Sequence, residues 1–387
     1  MNFQLKKIIT VINPRYVISV IVIVFTILFL ITLPRIRVGI HTFMFIPEIL
    51  PGIEFHAQEL FIDDPIREKI NFPKKVGWGK ADLYIPRKGD KHSAVLLFLG
   101  VNPAGRDDPR VVQLAKGLSR TGAIVMIPWS ERMTSDKINA EEIDDLVRAF
   151  QYLMDLEHVD RNKIGMGGFC VGASLTTVAA QDSRIRDHVK FLNFFGGYFD
   201  AIDLVKSVVT ETRFYSGVYH EWRPNELAVK IVRGHLIETI PNIRERELFT
   251  TVFLKSLDSN YIDYESLSEH GKIVYELMSN PSINEIDEII DRLPEKSLTY
   301  LEQISPVTNI DKLKARVLIM HDGQDNMVPS EESRRFRDMI TSDRSPYYTE
   351  FSMFDHMDPT VKLTPLQYVK EGLKLYLHLY HVIEELV

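Results

Sequence analysis

From about residue 75 onward, short apolar runs alternate with stretches whose apolar residues recur every three or four positions. The first kind reads as buried strands and the second as amphipathic helices. AVLLFLGV (94–101) predicts a buried strand, PRVVQLAKGLSRTG (109–122) a helix closed by a glycine, and AIVMIPW (123–129) the next strand. In NAEEIDDLVRAFQYLMDL (139–156), Ile143, Leu146, Val147, Phe150 and Leu153 share one face behind an acidic first turn, which predicts a helix. KIGMGGFC (163–170) follows as a strand, then a helix of small residues from Gly172, then the strand KFLNFFGG (190–197). Later come the strand RVLIMHD (316–322), a helix over SEESRRFRDMI (330–340) capped by Ser330, the strand YTEFSMF (348–354) and a terminal helix from about Pro365. Strands alternating with helices imply a mostly parallel sheet covered on both faces. GKADLYIP (79–86) is expected to add an antiparallel edge strand.

Two regions break this rhythm. Residues 199–312 carry helical patterns such as NELAVKIVRGHLIETI and SINEIDEIIDRL but few strand signals. A connection that long must hold structure of its own, so it reads as a helical cap inserted between two sheet strands. At the other end, YVISVIVIVFTILFLITL (16–33) has no charge, and Ser19, Thr26 and Thr32 are its only polar interruptions. As a helix it would be roughly 27 Å long, close to the hydrocarbon thickness of a bilayer. No small-residue cleavage site follows it, so it reads as an uncleaved transmembrane anchor rather than a signal peptide. Lys6, Lys7 and Arg15 precede the run and Arg35 and Arg37 follow it, which favours an extracytoplasmic catalytic domain. The expected layout is an anchor over 1–37, a linker or interfacial segment over 38–74, core over 75–198 and 313–387, and the cap over 199–312.

Composition narrows the possibilities. The chain has 387 residues, 26% of them charged, and a net charge of −7. It shows no long basic stripe, so a nucleic-acid partner is not expected. A single cysteine excludes an internal disulfide and a cysteine-based metal cluster. Neither a metal nor a cofactor is expected.

That cysteine carries the chemistry. Gly168-Phe169-Cys170-Val171-Gly172 falls where a strand passes into a helix, the place of a nucleophile elbow with Cys in the position usually held by Ser. So tight a turn needs small residues two positions to either side, and Gly168 and Gly172 supply them. Ser174, four residues on, lies too far into the helix for that role. A nucleophile of this kind needs a base and an acid, which in this fold follow in the order nucleophile, acid, histidine. Asp325 lies after the strand RVLIM, with Asp322 as the alternative acid. His356 lies just beyond the final strand, alone in that respect among the 12 histidines, and its neighbour Asp355 is a further alternative acid. Asp325 would orient one ring nitrogen of His356 while the other takes the thiol proton. Two oxyanion donors are expected, the Val171 N–H at the helix start and a second from LFLGVNPAGRDD, where Val101 is preferred over Asn102.

On these residues the sequence resembles the dienelactone hydrolase branch of the α/β-hydrolase superfamily. The carrying segments are VRAFQYLMDLEHVDRNKIGMGGFCVGAS, SPVTNIDKLKARVLIMHDGQDNMVP and FDHMDP, within residues 75–198 and 305–387. The resemblance implies an eight-stranded α/β-hydrolase sheet, a triad of Cys170, Asp325 and His356, and hydrolysis of lactones and related esters without a metal or organic cofactor. Two departures stand out. The family's carboxylate on the oxyanion-loop side falls at Gly100, and the anchor and cap are additions to a compact soluble family. GFCVGAS also resembles the cysteine box of polyhydroxyalkanoate synthases, which share the fold and triad order. The expected function is therefore a membrane-anchored ester, lactone or thioester hydrolase, with an acyltransferase or a non-catalytic binding protein as alternatives. Tyr219, His220 and Trp222 are candidates to line its pocket.

Overall fold

The computed structural model describes residues 19, 33–50, 53, 55–102, 104–135, 138–255, 262–340 and 345–387. All of the predicted span 16–33 except Ser19 and Leu33 lies outside these residues. No helix among the described residues is long and apolar enough to cross a membrane.

Eight strands form one sheet in the order β1-β2-β4-β3-β5-β6-β9-β10. They are β1 (Ile66–Pro73), β2 (Trp78–Ile85), β3 (His92–Phe98), β4 (Ile124–Trp129), β5 (Val159–Phe169), β6 (Val189–Phe195), β9 (Arg316–Asp322) and β10 (Tyr347–Phe351). Only β2 runs antiparallel to its neighbours β1 and β4; the other pairings are parallel. This mostly parallel sheet with helices on both faces is α/β-hydrolase-like, as expected. The interior strands are apolar where both of their faces are covered, and every residue of β3 is buried.

The helices of the sheet are α2 (Pro109–Arg120), α3 (Glu141–Asp155), α4 (Val171–Ala180), α11 (Ser330–Met339) and α12 (Pro365–Leu386). Asp108 caps α2 by accepting from the Arg110 N–H, and Thr364 and Gln367 form a reciprocal capping box on α12. The expected cap of α11 is corrected: Pro329 takes the N-cap position and Ser330 is the first helical residue, its hydroxyl turned toward Glu331.

The N-terminal boundary also differs from the expectation. β2 is not an edge strand; β1 lies outside it, drawn from the segment read as a linker. IREKINFP escapes a hydrophobic-pattern reading because it is an exposed edge in which only Phe72 is buried. The end of the expected anchor region and the start of that segment together form α1 (Pro34–Ile49), which packs on α2 and α12. Gly117 makes room for the Phe45 ring, since a Cβ there would lie 3.0 Å from it. Buried Arg120 of α2 pairs with buried Glu48 of α1 at 3.3 Å and reaches Glu59 and Asp64.

Between β6 and β9 the chain forms α5 (Ala201–Thr210), a hairpin of β7 (Thr212–Tyr215) and β8 (Val218–Glu221), then α6 (Glu226–Thr239), α7 (Ile243–Phe249), α8 (Glu269–Met278), α9 (Ile286–Asp291) and α10 (Glu295–Gln303). The hydrophobic pattern does not predict this hairpin. Its turn is Ser216-Gly217, with φ of 50° and 77°, the left-handed pair that a tight hairpin requires.

Candidate active site

The elbow follows from its backbone. Cys170 has φ 53° and ψ −136° and is the N-cap residue of α4. Such a conformation is costly for a residue with a Cβ, by about 1–3 kcal/mol. Its surroundings hold it: the Cys170 N–H donates to the Phe195 carbonyl and its own carbonyl accepts from Ala173, both at 2.9 Å. The flanking glycines have a steric reason. A Cβ on Gly168 would lie 2.4 Å from the Ala173 Cα, and one on Gly172 would lie 2.5 Å from the Phe98 carbonyl oxygen. The cysteine itself is 8% exposed.

The structure brings the predicted acid and base together. His356 Nδ1 and Asp325 Oδ2 are 2.6 Å apart. An ionised carboxylate only accepts, so Nδ1 carries a proton, and Nε2 is the ring nitrogen not engaged by Asp325. Nε2 is buried without a hydrogen-bond partner, while the Cys170 side chain is near enough to influence the ring's ionisation. Catalytic hydrogen bonds are often long before substrate binds. His356 also has a positive φ of 58°, a second strained residue at the same place.

Asp325 is fully partnered. Its Oδ1 accepts from the N–H groups of Met327 (2.7 Å) and Val328 (3.0 Å), and Oδ2 also faces His321 Nε2 at 3.2 Å. Burial disfavours the carboxylate, but His356 and His321 outweigh it and hold the Asp325 pKa well below the ordinary value. Burial likewise disfavours protonated His356, yet the Asp325 charge and the neighbouring Cys170 side chain raise its pKa well above 6.5.

The alternative acids go elsewhere. Asp322 accepts from the N–H groups of Gln324 and Phe354, both at 2.8 Å, and ties the ends of β9 and β10 together. Asp355 makes a backbone bridge with Asp358. Ser174 is fully buried and donates to the Tyr198 carbonyl at 2.7 Å. Trp222 reaches the site as a brace rather than a lining residue, donating from Nε1 to the Asp325 carbonyl at 2.9 Å. Tyr219 and His220 sit on the exposed strand β8.

The oxyanion side is set by close backbone approach. Val171 is the first residue of α4, where N–H groups lack intrahelical partners. A Cβ on Gly100 would lie 2.8 Å from the Phe169 carbonyl and 2.9 Å from the Cys170 Cβ. No side chain fits there, which accounts for the glycine at this position. Val101 follows directly, and the Asn102 side chain is committed to its own loop, accepting from the Ala104 N–H at 3.2 Å. Arg106 holds this loop to the sheet through the Ala81 carbonyl and the buried carboxylate of Asp82.

Three neighbours were not legible as site residues. His321 backs the acid, donating to the Val328 carbonyl at 3.0 Å while its Nδ1 meets Ser333 Oγ at 2.6 Å; a histidine four residues before the acid was the available signal. Tyr198 follows β6 with a buried, unpartnered hydroxyl. Burial, with Tyr300 and Cys170 nearby, raises its pKa well above 10. Glu332 of α11 accepts from the N–H groups of Phe199 (2.8 Å) and Asp200 (2.9 Å), fixing the chain where it leaves the site for the cap. One small cleft, lined by Gly100, Asn102, Trp129, Ser130 and Met133 among others, lies against the loop after β3 and holds about 10 Å³.

No protein-family model and no curated protein sequence matches the chain. Among solved structures it is similar to the acylaminoacyl peptidase of Pyrococcus horikoshii (12% identity, TM-score 0.47, 83% of this chain and 43% of that one). It is also similar to an esterase of Pyrobaculum calidifontis (14%, 0.45, 90% and 92%) and to a 2,6-dihydroxy-pseudo-oxynicotine hydrolase (13%, 0.47, 81% and 68%). The chain spans less than half the length of the peptidase.

Proposed function

We propose that the protein is a hydrolase that cleaves an ester, lactone or thioester by acyl transfer to Cys170, held at a membrane by residues 16–33. The observation that carries this reading is the strained Cys170 at the start of α4, together with a buried His356–Asp325 pair whose free nitrogen has no other partner. The chemistry follows in two steps. Cys170 Sγ gives its proton to His356 Nε2 and bonds to the substrate carbonyl carbon. The resulting oxyanion is received by the N–H groups of Val171 and Val101. As it collapses, the bond to the leaving group breaks and His356 returns the proton to that group. Water, deprotonated by His356, then attacks the thioester and releases the acid and the thiol. No step calls for a metal or an organic cofactor. An acceptor other than water would make the same site an acyltransferase.

The small cleft and the 8% exposure of Cys170 favour a second reading, a hydrolase fold retained for binding. The two separate on turnover. Purified full-length protein in detergent is assayed against activated short-chain esters, lactones and thioesters, beside Cys170→Ala. Turnover abolished by the substitution supports the enzyme. Turnover that survives it removes Cys170 from the mechanism, and absence of turnover on every substrate class favours binding.

A further inference from the structure

Two helices of this protein are apolar on both sides. On α1, Val38, Thr42 and Phe45 are buried against the domain, while Ile36, Ile40 and Phe43 point outward, Phe43 with 70% exposure. On α12, Glu371, Leu375 and Leu379 face the core, while Leu366, Val369 and Leu373 are 57–80% exposed. A helix apolar all round is normally covered all round. Single exposed apolar residues are ordinary, but contiguous apolar faces mark contact surfaces.

The two faces adjoin. Tyr380 Oη donates to the Arg35 carbonyl and Tyr376 Oη to the Gly39 carbonyl, so the helices lie side by side with opposite polarity. That register brings Phe43 level with Leu373, and the outward residues form one surface. Its exposed charges all have one sign. Arg35, Arg37 and Lys370 are exposed, whereas the acidic residues Glu48 of α1 and Glu371 of α12 (over 365–377) are buried and paired with Arg120 and Lys374. In a chain of net charge −7 that local bias is specific.

What covers this face is indicated by the chain itself. The uncharged apolar run 16–33 ends where α1 begins, at Pro34. We propose that the outer faces of α1 and the N-terminal half of α12 form a platform that rests in the headgroup–acyl boundary of an anionic phospholipid bilayer. This rests on the reading of residues 16–33 as the tether. An apolar helical face fringed by Arg and Lys is the chemistry of interfacial binding. The domain then lies on the membrane in a fixed orientation instead of hanging from a flexible stalk, and the α12 end of the platform begins within ten residues of His356.

Site-directed spin labelling of the full chain tests this, since a Cys170→Ser background leaves no native thiol. Nitroxides are placed by Phe43→Cys, by Val369→Cys and, as a control on the far edge of the sheet, by Val76→Cys, where Val76 is 86% exposed. The proteins are reconstituted into phosphatidylcholine–phosphatidylglycerol vesicles, and collision with oxygen is compared with collision with a water-soluble nickel chelate. The expected result is oxygen-dominated collision at positions 43 and 369 and chelate-dominated collision at 76. Chelate-dominated collision at 43 and 369 on vesicle-bound protein overturns the platform and leaves the tether standing. Low collision with both reagents overturns it in favour of a protein cover, either residues 16–33 folded back or a second copy. Protein that does not float with the vesicles overturns the tether and the platform together.

Discussion

At Cys170 the backbone does something that a cysteine in a core has no reason to do. Its φ of 53° is sustained only because Gly168, Gly172 and Gly100 leave room on three sides, each with backbone where a Cβ would stand. Gly100→Ala therefore pushes on the nucleophile directly. We expect about 1–3 kcal/mol of destabilisation from overpacking, read as a lower urea midpoint, and a fall in turnover of at least about 10²-fold from displacement of the reacting atoms. Full activity in that variant would contradict the close approach described here. Protonation at His356 depends on its neighbours. Asp325→Asn removes the charge that lifts the His356 pKa, leaving burial to lower it, so the imidazole resonance should titrate at lower pH than in the parent. The stability that His356 contributes is complete below its ordinary value of 6.5 and is lost only as pH rises through its raised folded value. The Asp325 contribution has the opposite sense: it is present above the ordinary value of 3.8 and is lost as pH falls toward the depressed folded value. Thermal melts across pH should show both flanks, and Asp325→Asn should flatten each of them.

At the scale of elements, the helices and strands that were legible are those whose burial imposes a period. β3 is buried throughout, β4 and β9 at every position but one end residue each, and all three read as apolar runs, while α3 shows its core stripe in Leu146, Phe150 and Leu153. The exposed edge β1 and the hairpin β7–β8 carry no such constraint, and neither was read as strand. The order of Cys170, Asp325 and His356 was visible because strand ends fix their places. The tertiary supports of the site were not, because Glu332, Arg106 and Asp82 act across more than 20 positions of sequence. Glu332 illustrates what they do. Burial raises its pKa to about 7 even though Arg335 opposes the shift, and its carboxylate is the acceptor for two N–H groups at the entrance to α5. Glu332→Ala leaves both donors unpaired, at about 1–3 kcal/mol for each buried group, so urea denaturation should show a loss of roughly 2–6 kcal/mol. Glu332→Gln keeps an acceptor there and should lose clearly less. Because the folded pKa is the higher one, the stability linked to this proton is complete below the ordinary value of 4.5 and declines as pH rises through about 7.

For the whole molecule, the two additions to the sheet have complementary places. The segment between β6 and β9 is braced on Asp325 by Trp222, while α1 packs against both α2 and α12. The apolar run leading into α1 is expected to keep the full chain in the membrane pellet through alkaline carbonate extraction, and removal of residues 1–33 should shift it toward the supernatant. With Cys170 only 8% exposed, short acyl groups should react before long ones. The central claim is that Cys170 becomes acylated. It is tested most directly by mixing the protein with an activated short-chain ester, quenching in acid, and mapping the peptides by mass spectrometry. The account predicts a mass increase of one acyl group on the peptide containing Cys170, absent in Cys170→Ala and accumulating more slowly in His356→Ala. An unmodified Cys170 peptide during sustained turnover, or an acyl group found on another residue, would contradict it.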